Sequence, residues 1–537
     1  MSKASSKSHM TVAIGVAATS GFIALSYELV WYRVFSFFTW GAAGTFGVLL
    51  GAYLLGVALG SYGSRRFCAD RKTEGSPREL LPLGVFLFVA NLLSFLAAPI
   101  LAWGYTLTVT FLPLGIVTLA AGAMGAILPL TSHYAIAPDD RAGARLSYLY
   151  LANIVGSTAG SLLTGFVFMD ALSLRQTSVV LVSVGSAAAV VLILLSVRGA
   201  GGDSAKRSAA GVGLALALTG ALATVALAPK LYDQVYERLF YKRRFRDDFR
   251  FQYVVENKHG VIAVTKDGTV LGGGAYDGKI STSIVHDVNG IKRAYALSAL
   301  HPKPRRVLMI GLATGGWAQV IANNRDVEEV RAIEINPGYL EIIAREPAVA
   351  PILTNRKFHL EIDDGRRWLL RHPDEKFDAV VMNTTWNWRG HLTNLLSLDF
   401  MELVRKHLSP GGILYFNTTS SPEAQKTAMV AFPYALRVYN FMCVSDSALR
   451  FDVDRFRDSL ENYTIDGVPA IDTSTEQGRK VIDELVAWGN TQDGPPQADG
   501  IEKRESLWPR LEGVRTITED NMATEFVEPL RRPEPIL

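Results

Sequence analysis

The sequence predicts a multi-pass α-helical membrane bundle followed by an α/β domain built on a parallel sheet. From Thr11 to Ala228 the charged residues are confined to short loops, whereas from Pro229 onward they are spread evenly, as in a water-soluble domain. Seven segments of the first part are apolar over about 20 residues, the length that crosses the hydrocarbon core of a bilayer. In the second part, residues 304–440 alternate short apolar strands with helical patterns, which is typical of a doubly wound sheet.

The composition excludes several classes of protein. The chain has 537 residues, more than one ordinary domain, and its net charge of +3 argues against a nucleic-acid partner. Its two cysteines, Cys68 and Cys443, are far apart. We therefore expect neither a disulfide framework nor a cysteine-based zinc site, and no metal cofactor.

The seven apolar segments predict an integral, multi-pass protein of the inner (cell) membrane, with the lipid bilayer as a partner. Their approximate bounds are 11–31, 43–63, 80–103, 109–133, 147–169, 177–197 and 209–228. The polar N-terminus leads directly into the first segment, which favours a retained helix over a cleaved signal peptide.

The side of the membrane on which the α/β domain lies is left open by the sequence. The loops 64–79, 134–146 and 198–208 are basic and alternate with loops poor in Lys and Arg, so the positive-inside rule places them in the cytoplasm. Seven spans from a cytoplasmic N-terminus then put the α/β domain outside. However, residues 230–250 contain seven Lys and Arg, which favours the cytoplasm. A missed eighth or re-entrant span would resolve this conflict.

Glu28 stands near the end of the first apolar segment, where a carboxylate is costly unless it is paired. One interpretation is an ion pair with Arg33 that fixes the depth of the helix. The other is a residue that lines a path for a polar substrate or a proton. Glycines predict close helix packing in the second and fifth segments, at Gly51, Gly56, Gly60, Gly156, Gly160 and Gly165.

Four segments are expected after this division. They are a transmembrane domain (1–228), a linker helix with a β-hairpin region (229–303), the domain with the parallel sheet (304–445) and a C-terminal extension (446–537). The hairpin region contains the strand-like runs Phe251–Val255 and Gly260–Val264.

Three features predict an adenosine-type ligand at the carboxyl edge of the parallel sheet. The strand Arg306–Ile310 runs into a turn containing Gly311, Gly315 and Gly316, and such glycines let a ligand approach the backbone closely. The strand Val330–Glu334 ends in an acid 18 residues after Gly316, near the spacing of ribose-binding acids. The third strand ends at the pair Asp363-Asp364, before a helix. Strand ends meet at one edge, so these residues are expected to form one site.

A polar, aromatic loop follows the fourth strand, Phe377–Asn383, and contains Trp386, Trp388 and His391. Further motifs lie elsewhere in the chain: Ser20-Gly21 with Tyr27-Glu28, Leu149–Gly156, Tyr276–Ser283 with Asp287, Asn394–Phe400 and Thr518–Asn521. With the nucleoside-site residues, these motifs resemble the polyamine aminopropyltransferases, or spermidine synthase-like proteins. The resemblance is closer to the bacterial membrane-fused members and covers nearly the whole chain. The bundle also resembles, more weakly, half a major-facilitator transporter in its loop polarity.

The resemblance implies a Rossmann-like, methyltransferase-type domain that moves an aminopropyl group from decarboxylated S-adenosylmethionine, or a related S-adenosylmethionine donor, to a small-molecule amine. It implies nucleoside binding by Gly311, Gly315, Gly316, Glu334, Asp363, Asp364 and Gln252. The chain departs from the family at two positions. Asn383 begins the run Asn383-Thr384-Thr385-Trp386 where the soluble enzymes have Asp-x-x-Asp, and Thr314 stands where an aspartate is usual. An amide has no useful basicity, so the catalytic position at Asn383 is atypical.

Each candidate replacement has a structural alternative. His391 has a suitable pKa for a general base, or is a surface residue of the loop. Asp287 reaches the site, or caps a helix. Gln252 contacts the ligand, or is a structural strand residue. Trp386 and Trp388 cover a cation or ring, or pack as a lid.

Three hypotheses of function follow. The first is a membrane-bound transferase of the spermidine synthase type with an atypical acceptor. The second is a membrane protein that transports or senses polyamines or related solutes. The third is a non-catalytic scaffold with a degenerate synthase domain. A homo-oligomer formed through the soluble domain is a further expectation.

Overall fold

The computed structural model describes residues 3–68, 80–106, 112–199, 204–383, 386–521 and 525–526. The chain forms two compact units. The first unit comprises residues from 1–39, 45–250 and 256–261, and the second comprises residues from 40–44, 251–255 and 262–537.

The first unit is helical. Its helices are α1 (Lys3–Phe38), α2 (Thr45–Ser64), α3 (Leu80–Thr106), α4 (Leu112–Gly125), α5 (Ile127–Ala135), α6 (Ala142–Leu163), α7 (Met169–Ala171), α8 (Leu174–Gly199), α9 (Ser204–Leu231) and α10 (Val235–Tyr241). A π-helical turn, Thr164–Phe168, joins α6 to α7. By length and composition, seven helical stretches of the described residues are long and apolar enough to cross a membrane. Residues 109–111 of the fourth predicted segment and most of the basic loop 64–79 lie outside the described residues.

Glycines bring two pairs of helices into close contact. In the pair of α2 and α4, a Cβ at Gly60 would stand 1.8 Å from the carbonyl oxygen of Gly122. In the pair of α1 and α6, a Cβ at Gly156 would stand 1.9 Å from the carbonyl oxygen of Ala18. Gly56 and Gly160 make similar approaches, but no heavy atom lies within 4 Å of a Cβ position at Gly51. The predicted close packing therefore holds for only part of each glycine row.

Arg33 does not pair with Glu28. Its guanidinium lies 3.5 Å from the carboxylate of Glu256 and donates to the carbonyl oxygens of Met169, at 3.3 Å, and Asn257. Five residues turn an α-helix through 500°, so Glu28 and Arg33 point about 140° apart on α1. The ion-pair interpretation of Glu28 with Arg33 is therefore wrong, and Arg33 instead joins α1 to Met169, Glu256 and Asn257.

A four-stranded sheet in the order β1-β2-β3-β4 belongs mostly to the second unit. Its strands are β1 (Tyr253–Asn257), β2 (Gly260–Val264), β3 (Thr269–Gly272) and β4 (Ala275–Lys279). A turn at residues 266–268 joins β2 to β3. Lys279 pairs with Asp267 there at 2.7 Å.

An eight-stranded sheet follows, in the order β14-β10-β11-β9-β8-β5-β6-β7. Its strands are β5 (Arg306–Ile310), β6 (Glu329–Glu334), β7 (Phe358–Ile362), β8 (Phe377–Met382), β9 (Leu408–Asn417), β10 (Tyr434–Val438), β11 (Phe441–Ser445) and β14 (Ile501–Lys503). Strands β9, β8, β5, β6 and β7 are parallel, which confirms the predicted parallel sheet. Strands β10, β11 and β14 add an antiparallel edge that the sequence did not predict.

Helices cover this sheet and connect its strands. They are α11 (Lys292–Tyr295), α12 (Leu297–Leu300), α13 (Gly316–Ala322), α14 (Gly338–Arg345), α15 (Gly365–Arg371), α16 (Leu398–Arg405), α17 (Pro422–Ala431), α18 (Val453–Glu461), α19 (Glu476–Asn490) and α20 (Arg504–Leu507). A small hairpin consists of β12 (Thr464–Ile465) and β13 (Val468–Pro469).

Both faces of the sheet are buried, as alternate residues of β5 show. Val307 and Met309 belong to one apolar core, and Leu308 and Ile310 to the other. Strand order reverses between β5 and β8, and in open α/β sheets this reversal leaves a crevice at the carboxyl ends of the strands.

We predict that Gly60→Ala lowers the thermal unfolding midpoint of the full chain in detergent, because the new methyl group would force α2 away from α4. Overpacking of this kind costs about 1–3 kcal/mol. Gly51→Ala is the matched control on the same helix, where a methyl group meets open space. A midpoint that falls equally in both variants would show that helix contact at Gly60 is not the cause.

Candidate active site

The glycine turn after β5 borders open space at one position only. Gly311 has φ +87°, and no heavy atom lies within 4 Å of the position that a Cβ would occupy there. Gly315 instead packs on Ile343, and a Cβ at Gly316 would stand 2.7 Å from the carbonyl oxygen of Ser281. Gly311 thus borders open space, whereas Gly316 lies against the main chain of Ser281 and Gly315 has φ +76° beside the side chain of Ile343.

Glu334, at the end of β6, joins this turn to the neighbouring strand. Its carboxylate is buried and accepts hydrogen bonds from the main-chain N–H groups of Leu312, at 2.7 Å, and Asn336, at 2.8 Å. Burial raises the pKa of Glu334, and the charge of Asp277 adds to that shift, while the main-chain hydrogen bonds oppose it. An ionised carboxylate has about four lone-pair positions, so these main-chain hydrogen bonds leave acceptor capacity for a ribose hydroxyl group.

Asp277, on β4, forms a second acidic centre near Glu334. Arg389 donates to one of its oxygens at 3.0 Å, and the hydroxyl of Tyr339 donates to the other. Burial, followed by the charges of Asp277 and Glu334, raises the pKa of Tyr339 well above its usual value, so this phenol remains a donor. Arg389 also donates to the carbonyl oxygen of Gly272 at 3.0 Å. The loop after β8 is therefore bonded to the β3–β4 hairpin, and one charge of the site is neutralised.

The acids after β7 lie at the same edge but have local partners. The N–H of Asp363 donates to the carbonyl oxygen of Glu334 at 3.1 Å, so the two strand ends meet as expected. Asp364 caps α15 by accepting from the N–H of Arg367 at 2.7 Å. Asp363 pairs with Arg367 and, at 3.2 Å, with Arg371. The hydrogen bond from Arg367 is the main cause of the lowered pKa of Asp363.

Asn383, directly after β8, belongs to a row of amides. Its side-chain oxygen accepts from the amide of Asn417 at 3.2 Å, and the oxygen of Asn417 accepts from the amide of Asn440 at 3.2 Å. Arg293 ends the row by donating to Asn440. This position offers hydrogen bonds to a ligand but neither charge nor basicity.

The aromatic loop after β8 is held in place by a hydrogen bond and by ring contacts. Thr384 and Thr385 lie outside the described residues. The indole N–H of Trp386 donates to the carbonyl oxygen of Tyr276 at 2.8 Å, and its ring lies 5.9 Å from that of Trp388, which is buried. These contacts favour the lid interpretation of the two tryptophans.

The remaining candidates stand in local structural roles. Asp287 accepts from the N–H groups of Ile291, at 2.7 Å, and Lys292, at 3.1 Å, which is the helix-capping alternative. His391 is exposed and has φ +69°. Gln252 is exposed and donates to the hydroxyl of Tyr253 at 2.9 Å.

The comparisons with known proteins show a similarity to polyamine-synthesising enzymes. Residues 296–445 match the family described as the spermine/spermidine synthase domain. The polyamine aminopropyltransferase of Agathobacter rectalis is 30% identical over 119 residues, which are 22% of this chain and 41% of that protein. Polyamine aminopropyltransferase 2 of Hyperthermus butylicus is 28% identical over 193 residues (32% and 63%). The enzyme of Mycobacterium tuberculosis is 25% identical over 322 residues (58% and 59%).

The chain spans less than two thirds of the length of each of these relatives. Among solved structures, it is similar to a spermidine synthase in complex with the transition-state analogue AdoDATO, with a TM-score of 0.33 and 17% identity over 40% of this chain and 78% of that one. The spermidine synthase from Thermotoga maritima gives a TM-score of 0.33 and 18% identity over 40% and 80%. The sequence match confirms the predicted resemblance: residues 296–445 of this chain are similar to the spermine/spermidine synthase domain.

We predict that binding of methylthioadenosine weakens as the pH falls, at pH values where an ordinary glutamate is still charged. The pKa of Glu334 is raised from 4.5, so its carboxyl group gains a proton earlier and loses acceptor capacity. Calorimetric titrations of the full chain at several pH values measure this effect. Glu334→Gln should bind more weakly and show a flatter pH profile, with Glu341→Gln as the control on α14. If the affinity of Glu334→Gln for methylthioadenosine fell with pH in parallel with that of the wild type, Glu334 would not be the titrating group.

Proposed function

We propose that this protein is a membrane-bound transferase of the spermidine synthase type, with S-adenosylmethionine or its decarboxylated form as the donor substrate. The observation that carries the proposal is the carboxylate of Glu334, fixed by main-chain N–H groups beside the open space at Gly311. This arrangement suits the ribose of a nucleoside whose remaining part extends over the strand ends.

The reaction is a displacement at the carbon next to the donor's sulfonium. The nitrogen of the acceptor forms a bond to that carbon, the carbon–sulfur bond breaks, and its electron pair stays on the sulfur of the released thioether nucleoside. The new ammonium then loses a proton to a base or to water. The protein's part is to hold the two reactants in line, which replaces an encounter in solution by a preset geometry.

The acceptor is atypical because the site offers a polyammonium substrate little negative charge. Asn383 has an amide where the family uses a carboxylate, and Arg389 neutralises Asp277. A buried ammonium without a counter-charge is unfavourable. We therefore propose an acceptor amine with fewer positive charges than a polyamine.

We expect Asn383→Asp to increase transfer from decarboxylated S-adenosylmethionine to putrescine by about 100-fold, within the range of general-base effects. The new carboxylate would hold the ammonium group and accept its proton. Chromatographic measurement of methylthioadenosine and spermidine gives the rate. Asn383→Ala serves as the control, since it removes the amide without adding a base. Equal rates of transfer to putrescine in the two variants would show that residue 383 does not determine the choice of acceptor.

We also propose that an even number of the seven apolar helical stretches cross the inner membrane, so that the N-terminus and the synthase-type domain both lie on the cytoplasmic side. The support is their length and composition, the basic residues at 230–250, and the need for a cytoplasmic donor.

A reporter fused after Leu537 should therefore be active in its cytoplasmic form and protected from protease added to intact cells. Fusions after Gly199 and Leu231 would bracket the last helical stretch and determine whether it crosses. An external reporter would separate the domain from its donor and contradict the enzyme proposal.

A further inference from the structure

The helical unit contains a cavity of about 370 Å³ within its bundle. Its wall is formed by residues of α1, α2, α4, α5 and α6, so it lies where the two glycine-packed pairs, α1 with α6 and α2 with α4, face each other around α5. Its volume falls in the range of small-molecule sites, about 300–1,000 Å³.

The wall is apolar apart from a set of hydroxyl and amide groups. These are Ser20, Tyr53, Ser61, Ser132, Asn153 and Ser157. No acidic or basic residue lines the cavity among the described residues.

Several of these polar atoms are open to a ligand. Ser61 and the amide nitrogen of Asn153 are used by the bundle, donating to the carbonyl oxygens of Gly125, at 2.9 Å, and Ala17, at 3.1 Å. For the hydroxyls of Ser132, Ser157 and Tyr53 and the side-chain oxygen of Asn153, the described part of the chain provides no hydrogen-bond partner. Polar groups in a bundle interior are expensive when unsatisfied, so this set favours an occupant that hydrogen-bonds to them.

Glu28 lies at one end of this wall. It follows the lining residues Ala24 and Leu25 by four and three positions on α1, which places it on the same side of the helix, one turn further on. It is half-buried and within electrostatic reach of the Tyr53 hydroxyl. Arg33, the expected partner, is bound by Glu256. Within the described residues no cation pairs with Glu28, so its charge is available to one that enters the cavity.

We propose that the helical unit binds a small organic amine with a single positive charge in this cavity, with Glu28 as its counter-ion. The apolar wall accommodates an aliphatic or aromatic body, and the hydroxyl groups satisfy the remaining ammonium hydrogens. One carboxylate matches one ammonium; a second ammonium in the same cavity would be buried without a counter-charge. The cavity therefore selects a monoamine over a polyamine. This site is independent of the proposed transferase activity, because it uses none of the residues at the sheet edge.

The test uses the full chain in lipid nanodiscs and three probes: hexylamine, hexan-1-ol and spermidine. We expect saturable binding of hexylamine by calorimetry, weaker binding of spermidine, and at least a tenfold loss of hexylamine affinity in Glu28→Gln. Hexan-1-ol, which has the same apolar body without the charge, should bind both proteins equally. Asp140→Asn, in an exposed loop of the same unit, is the matched control and should bind hexylamine as the wild type does.

A second variant tests the cavity rather than the charge. Ser132→Leu fills the space from α5 and should reduce binding of both hexylamine and hexan-1-ol, while the thermal unfolding midpoint shows that the bundle remains folded. Equal hexylamine affinity in wild type and Glu28→Gln, tighter binding of spermidine than of hexylamine, or no saturable amine binding would each overturn the proposal. Methylthioadenosine titrations of Glu28→Gln should match those of the wild type, so failure at one site is distinguishable from failure at the other.

Discussion

The arrangement of the candidate site depends on the hydrogen bonds that one buried carboxylate accepts. Removing the charge of Glu334 from water is costly, and main-chain N–H groups at the ends of two strands offset that cost. The same bonds fix the turn after β5 against the end of β6, so the shape of the glycine turn and the position of the acid are not independent. The open space at Gly311 is a result of that joint geometry.

The pair of Asp277 and Arg389 is a second fixed point of the candidate site. It bonds the loop after β8 to the β3–β4 hairpin and places a cation beside the carboxylate of Asp277. The amide of Asn383, directly after β8, adds hydrogen-bonding capacity but no charge. The negative charge that this edge of the sheet offers is therefore concentrated at Glu334 and Asp363, and part of it is paired with arginine.

The sequence predicted the features that depend on local pattern. The β5 strand and the acid that ends β6 could be read from apolar runs and spacing, because parallel strands leave their carboxyl ends at one edge. The antiparallel edge and the ion pair of Arg389 with Asp277 could not be predicted from local pattern, because both join residues far apart in the chain. The contacts of Gly315 with Ile343 and of Gly316 with Ser281 could not be predicted either, because they too join residues far apart in the chain. The interpretation that Glu28 pairs with Arg33 was wrong because residues five positions apart point about 140° apart on an α-helix.

The glycine contacts in the helical unit have a mechanical consequence. Where backbone touches backbone, as between Gly60 and Gly122 or Gly156 and Ala18, two helices cannot slide or tilt without steric collision. We therefore expect each pair to behave as one stiff element, with the gap between the pairs as the more compliant part of the bundle. A change in what fills that gap would be transmitted along the full length of four helices at once, rather than absorbed by the bending of one.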